Sequence, residues 1–483
     1  MTATAPAPLP DTTADSHRPS GLSTTAILVI ACAAQFMVVL DVSIVNVALP
    51  DMRASLHLSS AGQQWIVNAY TLGFAGLLLL GGRAADLVGA KRVFLTGLGV
   101  FTLASLAGGL AGGGALLIGA RAVQGVGGAV LAPATLTLIM TTFTEPRART
   151  RAMGAWSAVM AAGGAAGAVL GGVLTQYAGW RWVFFVNVPL GLALAAAALV
   201  YVPAASGAKG GLRRLDLPGA LSVTAGLTAL VYGIVSTETH AWNSPTVWVP
   251  SAVGVLLLAA FVAIESKVAA PLVPLAILRR RTLATANLVV FSLGAAMFAM
   301  WFLLSLYMQQ ILGYSALEAG LCFLPGCLAI ILGAQIATRL VHRTGPRPLL
   351  VCGMALSTAG FGWLSQLSAD GSFGTDVAAP FVLCTLGMGL AMMPVTVAAT
   401  AGTDRAEAGL ASGLVNTSRQ VGGALGLALL ATVASHTTAT RTGPAAEAVT
   451  AGYGRALLYA AAFTACAAVG SFLLPRRTPR TAP

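Results

Sequence analysis

The chain has 483 residues, of which 57% are hydrophobic and only 9% are charged, and its formal net charge is +12 at pH 7. A soluble domain carries about 25% charged residues, so this composition excludes a water-soluble globular protein and indicates a chain surrounded by lipid. The basic residues stand in short clusters between apolar runs. That distribution excludes a nucleic-acid-binding face and is typical of the loops of a multi-pass membrane protein.

The predicted helices begin after a polar N-terminal segment. Residues 1–22 are rich in Pro, Thr and Ala and show no apolar periodicity, so we interpret them as a disordered cytoplasmic tail. Apolar runs of roughly 20 residues then recur, each long enough to cross a hydrocarbon core about 30 Å thick. They lie at 25–48, 63–82, 93–112, 115–141, 153–175, 183–203, 218–236, 246–265, 284–307, 318–340, 348–367, 377–400, 409–434 and 455–474. The expected fold class is an all-α integral membrane protein with about 14 transmembrane helices.

The distribution of Lys and Arg over the connections supports this helix count. With the N-terminus inside, the inner side receives most of the basic residues, as cytoplasmic loops normally do. These residues are Arg83, Lys91, Arg92, Arg147, Arg149, Arg151, Lys209, Arg213, Arg214, Lys267, Arg279, Arg280, Arg281, Arg339, Arg343, Arg347, Arg476, Arg477 and Arg480. The outer side has Arg53, Arg181, Arg441 and Arg455. The sequence therefore predicts that both termini are cytoplasmic.

A weak internal repeat divides the chain into related halves. The segment GRAADLVGAKR (82–92) aligns with TRLVHRTGPRP (338–348), which places Gly89 opposite Gly345. Such repeats are typical of transporters built from two halves around a midplane site. The predicted organisation is a tail 1–22, an N-terminal six-helix half 23–203, a linker 204–216, an inserted helix pair 217–266, a linker 267–282, a C-terminal six-helix half 283–474 and a tail 475–483.

Three charged residues stand inside apolar segments, namely Asp41, Arg121 and Arg419. Asp41 lies in LDVSIVNVALP (40–50), at the end of the first helix. A carboxylate there is costly and normally faces a cavity, a partner or an ion path. The alternative is a shallow position where water solvates it. Arg121 lies in RAVQGVGGAVLAP (121–133) of the fourth helix, and a guanidinium in lipid needs a carboxylate, carbonyl or water partner.

Two further motifs have a structural and a functional interpretation. In GRAADLVGAKR, Gly89 permits a tight turn and Asp86 can cap a helix or pair with an arginine. A simple helix-joining turn with charges that set the topology is the alternative. The fifth predicted helix carries a glycine ladder, which either serves a specific function or reflects general close packing of helices. Its members are Gly154, Gly163, Gly167, Gly171 and Gly172.

Together these segments resemble the major facilitator superfamily, in its fourteen-helix drug:proton antiporter branch. GRAADLVGAKR is similar to the superfamily loop G-x-L-A-D-x-x-G-x-K-R, and the ladder resembles G-x8-G-x3-G-P-x-x-G-G, with Ala168 where the family usually has proline. Further support comes from GWRWVFFVNVPLG (179–191), LDLPG (215–219), LYMQQILGYSALEAG (306–320) and NTSRQVGGALG (416–426). The resemblance covers nearly the whole length outside the tails and implies the major facilitator fold, with two six-helix halves plus an inserted helix pair.

The resemblance also implies roles for the candidate residues. Asp41 and Arg121 would lie close together and couple transport to protons, since separation favours proton uptake by Asp41 and contact favours release. A cytoplasmic gate would consist of Arg83, Asp86, Gly89, Lys91 and Arg92, and the glycine ladder would be the antiporter motif. A wide apolar substrate cavity would include Gln35, Asn46, Asn68, Tyr70, Gln124, Phe298, Trp301, Phe302, Tyr307, Asn416 and Arg419.

These features predict a proton-coupled antiporter that exports small hydrophobic drugs or antibiotics across the cytoplasmic membrane. Its expected partners are the substrate, protons and lipid, with no nucleic acid, metal, catalytic residue or cofactor, and it is expected to be a monomer. A metabolite facilitator or importer, or a non-transporting sensor, would share the fold. An enzyme is disfavoured because the five histidines are scattered over tails and loops. A primary pump is disfavoured because the sequence has no G-x-x-x-x-G-K-[ST] loop.

Overall fold

The computed structural model describes residues 21–203, 215–268, 271–401 and 405–474, and in these ranges the chain is almost wholly helical, without a β-strand. The membrane helices are α1 (Gly21–Ser55), α2 (Ser60–Val88), α3 (Ala90–Gly109), α4 (Gly114–Thr142), α5 (Pro146–Ala178), α6 (Trp182–Tyr201), α7 (Leu217–Ser236), α8 (Pro245–Glu265), α9 (Arg281–Ile311), α10 (Ala316–Thr344), α11 (Pro346–Leu364), α12 (Phe373–Ala399), α13 (Arg405–Thr440) and α14 (Ala445–Ser471).

Thirteen helices of the described ranges are long and apolar enough to cross a membrane. The remaining helix of the set, α11, has 19 residues and packs against α12 and α14, where the run 348–367 was predicted. The prediction of an all-α membrane protein with about 14 helices is therefore confirmed. The predicted tails and first linker fall largely on residues 1–20, 204–214 and 475–483, which lie outside the described residues, as do Lys209, Arg213, Arg214, Arg476, Arg477 and Arg480.

The helices extend beyond the apolar runs that predicted them. The fifth apolar run predicts a helix over 153–175, whereas α5 begins at Pro146 and ends at Ala178. A helix ends where its backbone meets a stop signal rather than where the lipid ends. Here proline occupies the first turn, which needs no N–H donor, and Gly179 follows the last residue with a positive φ of 90°. The charged first turns of such helices therefore project out of the apolar layer.

Two groups of six helices and one pair make up the bundle. Helices α1–α6 pack with one another, and so do α9–α14. Helices α7 and α8 pair with each other, and α7 lies against α2 and α13. Only 11% of the most apolar stretch of α8 is buried, so this helix presents most of its surface outward. The inserted pair thus stands at the edge of the bundle and leaves the contact between the two groups in place.

The two turns of the internal repeat share one backbone geometry. Gly89 follows α2 with φ 103°, and Gly345 follows α10 with φ 79°. Each donates its N–H to a carbonyl four residues back, Gly89 to Ala85 at 3.2 Å and Gly345 to Val341 at 2.9 Å. Positive φ favours glycine, since a Cβ would clash with the backbone. The alignment of these glycines in the sequence therefore corresponds to equivalent turns in the fold.

The bundle has two faces, which we name by their charge. The basic face carries the α2–α3, α4–α5, α8–α9 and α10–α11 connections, and the opposite face carries the α1–α2 connection. At the opposite face the two groups are joined between α1 and α9. Ser305 Oγ donates to the carbonyl of Asn46 at 2.8 Å, and Gln309 Nε2 donates to the carbonyl of Val47 at 3.0 Å. The opposite face is thus the closed face of the bundle.

Candidate functional site

Asp41 and Arg121 form an ion pair inside the N-terminal group of helices. Asp41 on α1 is fully buried, and Arg121 on α4 is 2% exposed. Arg121 Nη1 donates to Asp41 Oδ2 at 2.5 Å. The contact expected from the sequence is therefore present. Because both charges are removed from water, each depends on the other and on the surrounding hydrogen bonds.

Two side-chain amides complete the shell of the carboxylate. Asp41 Oδ1 accepts from Gln124 Nε2 at 2.7 Å and from Asn187 Nδ2 at 3.1 Å. With Arg121, this gives the carboxylate three donors from two other helices, α4 and α6. An ionised carboxylate has only acceptors, and here both of its oxygens have donors.

The guanidinium of Arg121 is equally well satisfied. Its Nη1 also donates to Gln124 Oε1 at 2.8 Å, and its Nε donates to the carbonyl of Ile66 at 3.2 Å. The Cζ atom lies 4.3 Å from the ring centroid of Tyr70 and 5.9 Å from that of Phe184. Aromatic faces stabilise a desolvated cation by about 2 kcal/mol or more. The network ties α1, α2, α4 and α6 together around one charge pair.

Ser105 and Asn187 belong to this network, although neither stands out in the sequence as a site residue. Ser105 Oγ accepts from Gln124 Nε2 at 3.2 Å and from Asn187 Nδ2 at 3.0 Å, and it donates to the carbonyl of Phe184 at 2.9 Å. The only signal available was the position of Asn187 within the quoted segment GWRWVFFVNVPLG. Gln124, which was expected to line the substrate cavity, is fully buried beside the charge pair.

The predicted gate residues lie around the α2–α3 turn on the basic face. Arg83 Nη1 donates to the carbonyl of Pro271 at 2.8 Å, which joins α2 to the connection between α8 and α9. Lys91 Nζ donates to the carbonyls of Leu199 and Val202 at 2.9 and 2.6 Å and so caps the end of α6. The remaining members are the turn residue Gly89 and two exposed charged side chains, Asp86 and Arg92.

The glycine ladder of α5 packs on two partners. A Cβ on Gly167 would lie 2.8 Å from the carbonyl oxygen of Leu40, and one on Gly171 would lie 2.9 Å from that of Ile44, so this side requires glycine for contact with α1. The members of this side are Gly163, Gly167 and Gly171. Gly172 faces α10 instead, where a Cβ would lie 2.6 Å from the carbonyl oxygen of Ala316. Around Gly154 the space is open.

The polar cavity candidates of the N-terminal helices are buried. Gln35 accepts from Thr135 Oγ1 at 3.4 Å, and Asn46 Nδ2 donates to the carbonyl of its own helix at Val42, 2.9 Å away. Asn68 is fully buried, and neither its Nδ2 nor its Oδ1 has a partner. Such a group needs a water molecule or another conformation to satisfy it.

The cavity candidates of the C-terminal helices form two clusters. The half-buried Trp301 stacks on Phe323 with centroids 4.5 Å apart and meets Phe381 edge-on at 5.9 Å. Asn416 Oδ1 accepts from Arg419 Nη2 at 2.7 Å, and both side chains are half-buried. The other candidates are the half-buried Phe298, the buried Phe302 and the buried Tyr307, whose hydroxyl donates to the carbonyl of Ser368. Phe323 and Phe381 are fully buried and hold the ring of Trp301 in place.

A glutamate at the opposite face gives a pH-dependent prediction. Glu238 follows α7 and accepts a hydrogen bond from Gln64 Nε2. Burial raises the pKa of the Glu238 carboxyl, while the Gln64 hydrogen bond and Arg53 oppose that shift. A raised pKa means that the folded state binds the proton more tightly than the unfolded state. Stability therefore falls as pH rises from the usual glutamate value through the raised pKa.

We expect Glu238→Gln to remove this part of the pH dependence. The variant should gain stability over the wild type at about pH 8 and show no gain at about pH 5, measured as melting temperatures in detergent. Glu447→Gln, which neutralises an exposed carboxylate near the start of α14, is the matched control and should show no such difference. Equal gains at both pH values would contradict the assignment to Glu238.

Comparison with known protein families identifies the family of this chain. A sequence profile of the Major Facilitator Superfamily matches residues 31–427. The chain belongs to this superfamily. The cephamycin export protein CmcT of Amycolatopsis lactamdurans is 45% identical, over 95% of this chain and 94% of that protein. The puromycin resistance protein pur8 of Streptomyces alboniger is 44% identical, over 85% and 82%. The tetracenomycin C resistance and export protein of Streptomyces glaucescens is 35% identical, over 82% and 73%.

Solved structures of the superfamily share the fold at low identity. An auto-inhibited peptide transporter of the POT family matches with a TM-score of 0.67 at 16% identity, covering 96% of this chain and 99% of that one. An inward-facing bacterial homologue of the lysosomal transporter Spinster matches with a TM-score of 0.64 at 15% identity, covering 94% and 97%. The family and the export and resistance proteins among its relatives identify this major facilitator protein as a multi-pass membrane transporter of a small molecule.

Proposed function

We propose that this transporter is a proton-coupled antiporter that exports small hydrophobic antibiotics across the cell membrane. The observation that carries the proposal is the fully buried ion pair of Asp41 with Arg121. A titratable acid held this deep in a membrane protein marks a proton or ion path. The export and resistance proteins among its relatives support a drug as the transported compound.

Proton coupling follows from what protonation does to the pair. A proton on Asp41 removes the negative charge that Arg121 faces and turns a carboxylate with three donors into a group that must itself donate. The contact between α1 and α4 then weakens. Substrate and proton both shift the equilibrium between the conformations in which one face or the other is open. Movement of protons in one direction therefore drives movement of substrate in the opposite direction. The pair is thus the switch, and rocking of the two helix groups is the movement.

The charge distribution supports the orientation within this proposal. The connections on the basic face carry most of the Lys and Arg residues, and such loops stay in the cytoplasm. Both termini are then cytoplasmic and the closed, opposite face is extracellular. In this orientation the basic face is the side from which an exporter takes its substrate.

The residues proposed for the cavity favour apolar substrates. Trp301 and Phe298 offer aromatic surface, and the polar groups are amides, two phenols and the guanidinium of Arg419. Apolar walls with a few orienting polar groups are the usual lining of drug-sized sites. Since this set contains no carboxylate, neutral or weakly charged hydrophobic compounds suit it better than dications.

Transport in proteoliposomes tests the proposal. With an inside-acid gradient of about one pH unit, a one-to-one exchange should accumulate puromycin or a neutral fluorescent dye up to about tenfold, because one unit corresponds to about 1.4 kcal/mol. Liposomes without the gradient are the control. Equilibration that ignores the gradient would indicate a facilitator. No movement of any compound in a broad panel would indicate a non-transporting sensor.

A further inference from the structure

The side-chain amide of Asn187 is completely buried and only half hydrogen bonded. Its Nδ2 donates to Asp41 Oδ1 at 3.1 Å and to Ser105 Oγ at 3.0 Å. Its Oδ1 has no hydrogen-bond partner. A buried acceptor left without a donor is destabilising and is uncommon in native proteins. This arrangement makes sense if the oxygen is used in a second state of the network.

Protonation of Asp41 creates the need for such an acceptor. A protonated carboxyl donates through its O–H and requires an oxygen in place of one of its present donors. Ser105 Oγ already accepts two amide N–H groups and donates to Phe184, and Gln124 Oε1 already accepts from Arg121. Asn187 Oδ1 is the neighbouring oxygen of the described network with both lone pairs unused.

We propose that Asn187 is a positioning residue whose side-chain amide changes its orientation when Asp41 gains or loses a proton. When Asp41 is ionised, Asn187 Nδ2 donates to it, as in this structure. When a proton from the gradient forms an O–H bond on Asp41 Oδ1, the amide turns by about 180° about its terminal torsion, which is broad and roughly two-fold. Asn187 Oδ1 then accepts a hydrogen bond from that O–H. The O–H bond is the only covalent bond formed in this step. The inference rests on the proposed proton coupling.

The turn of this amide also changes the contact between α3 and α6. Asn187 directly follows the interruption of α6 at Val186, where the short segment Trp182–Phe185 ends. With Oδ1 facing it, the hydroxyl of Ser105 donates to Asn187 and releases the carbonyl of Phe184. Protonation on α1 thereby removes a hydrogen bond between two other helices. This coupling gives the charge pair a route to the packing of the N-terminal half.

Few other titratable groups face Asp41. Arg121 of α4 is its ion-pair partner, and Tyr70 of α2 packs its ring on the same guanidinium. The charged residues of α5 and α9 stand in the first two turns of those helices, and α6 as described contains none. A shift in the pH profile on changing Asn187 therefore reports on Asp41.

Asn187→Leu, compared with the wild type, tests the inference. The variant removes the hydrogen bond that Asn187 donates to ionised Asp41 and the one that it would accept from protonated Asp41. The first is the stronger of the two, because its acceptor is charged. The pH midpoint of gradient-driven dye transport should therefore move upward by roughly half to one pH unit. The carbonyl stretch of protonated Asp41, identified in infrared difference spectra by its loss in Asp41→Asn, should move to higher wavenumber. Asn187→Ser, which perturbs packing less, should shift both in the same direction.

Thr102→Val is the matched control. Thr102 lies one turn from Ser105 on α3, is buried against α6 at Gly191 and has an unpaired hydroxyl, but it is outside the network. It should change neither the midpoint nor the infrared band. An unchanged midpoint and band in both Asn187 variants would overturn the inference, even if transport slowed. Failure of proton coupling itself would be seen separately, as gradient-independent transport in the wild type.

Discussion

Replacing Arg121 with methionine is expected to lower the free energy of unfolding by about 3–5 kcal/mol. The substitution leaves the fully buried Asp41 without its counter-ion, and methionine supplies no hydrogen bond to the freed Oδ2 or to Gln124 Oε1. Removing one partner of a buried pair is far more damaging than its net contribution to stability suggests, because an uncompensated charge remains. Thermal melting of the purified protein in detergent measures the effect.

The companion variants separate stability from coupling. Asp41→Asn keeps an oxygen that accepts from Arg121, so it should fold with a smaller loss. Gradient-driven transport should nevertheless fall to the level seen without a gradient, since asparagine binds no proton at physiological pH. The double variant Asp41→Asn with Arg121→Met removes both charges and should recover most of the stability without recovering transport. Full stability of Arg121→Met alone would contradict the burial of the pair.

Replacing Gly172 with leucine is expected to reduce transport about tenfold or more, because a bias of only 1.4 kcal/mol against one conformation is a tenfold change in its population. The leucine Cβ would lie 2.6 Å from the carbonyl oxygen of Ala316 and 2.7 Å from the Cα of Leu317. Both contacts are to backbone, which cannot give way as a flexible side chain does. The collision holds α5 and α10 apart at the opposite face and disfavours its closure.

Spin labels on α5 and α10 measure this opening directly. Tyr177 and Leu321 are 74% and 45% exposed and are suitable sites after replacement of the exposed Cys352 and Cys466. The distance between the labels should lengthen in Gly172→Leu. The control is Gly154→Ala, whose Cβ meets nothing within 4 Å and which should stabilise α5 by up to about 1 kcal/mol with transport unchanged. Normal distances and transport in Gly172→Leu would refute a role in closure.

The sequence predicted the charge pair but not its surroundings. Asp41 and Arg121 were identifiable because isolated charges in lipid require partners. Ser105 and Asn187 carry no comparable signal, since small polar residues are tolerated in many membrane helices. Their position depends on how α3 and α6 are rotated about α1. An apolar helix without a polar stripe does not specify that rotation in its own sequence. For the same reason Gln124, three residues from Arg121, was assigned to the cavity.

The number of helices and the turns on the basic face were predictable for a different reason. Hydropathy and loop charge both respond to the bilayer, so the apolar runs and the repeat turns at Gly89 and Gly345 were found. The interruptions inside helices were not found. The π-helical segment Tyr307–Ile311 at the end of α9 and the break of α10 at Phe323 depend on packing across the bundle. Such contacts are formed by residues distant in the chain.

The charge pair also has a consequence for how the protein is made. Asp41 precedes Arg121 by 80 residues. At a rate of synthesis of about 5–20 residues per second, Asp41 is therefore made on the order of ten seconds before its counter-ion. Until α4 has been inserted, α1 holds a carboxyl in the membrane without its counter-ion, which is an unfavourable arrangement. Completion of the N-terminal half therefore depends on α4 reaching α1 in time, and a delay in synthesis between the two helices prolongs the least stable stage of assembly.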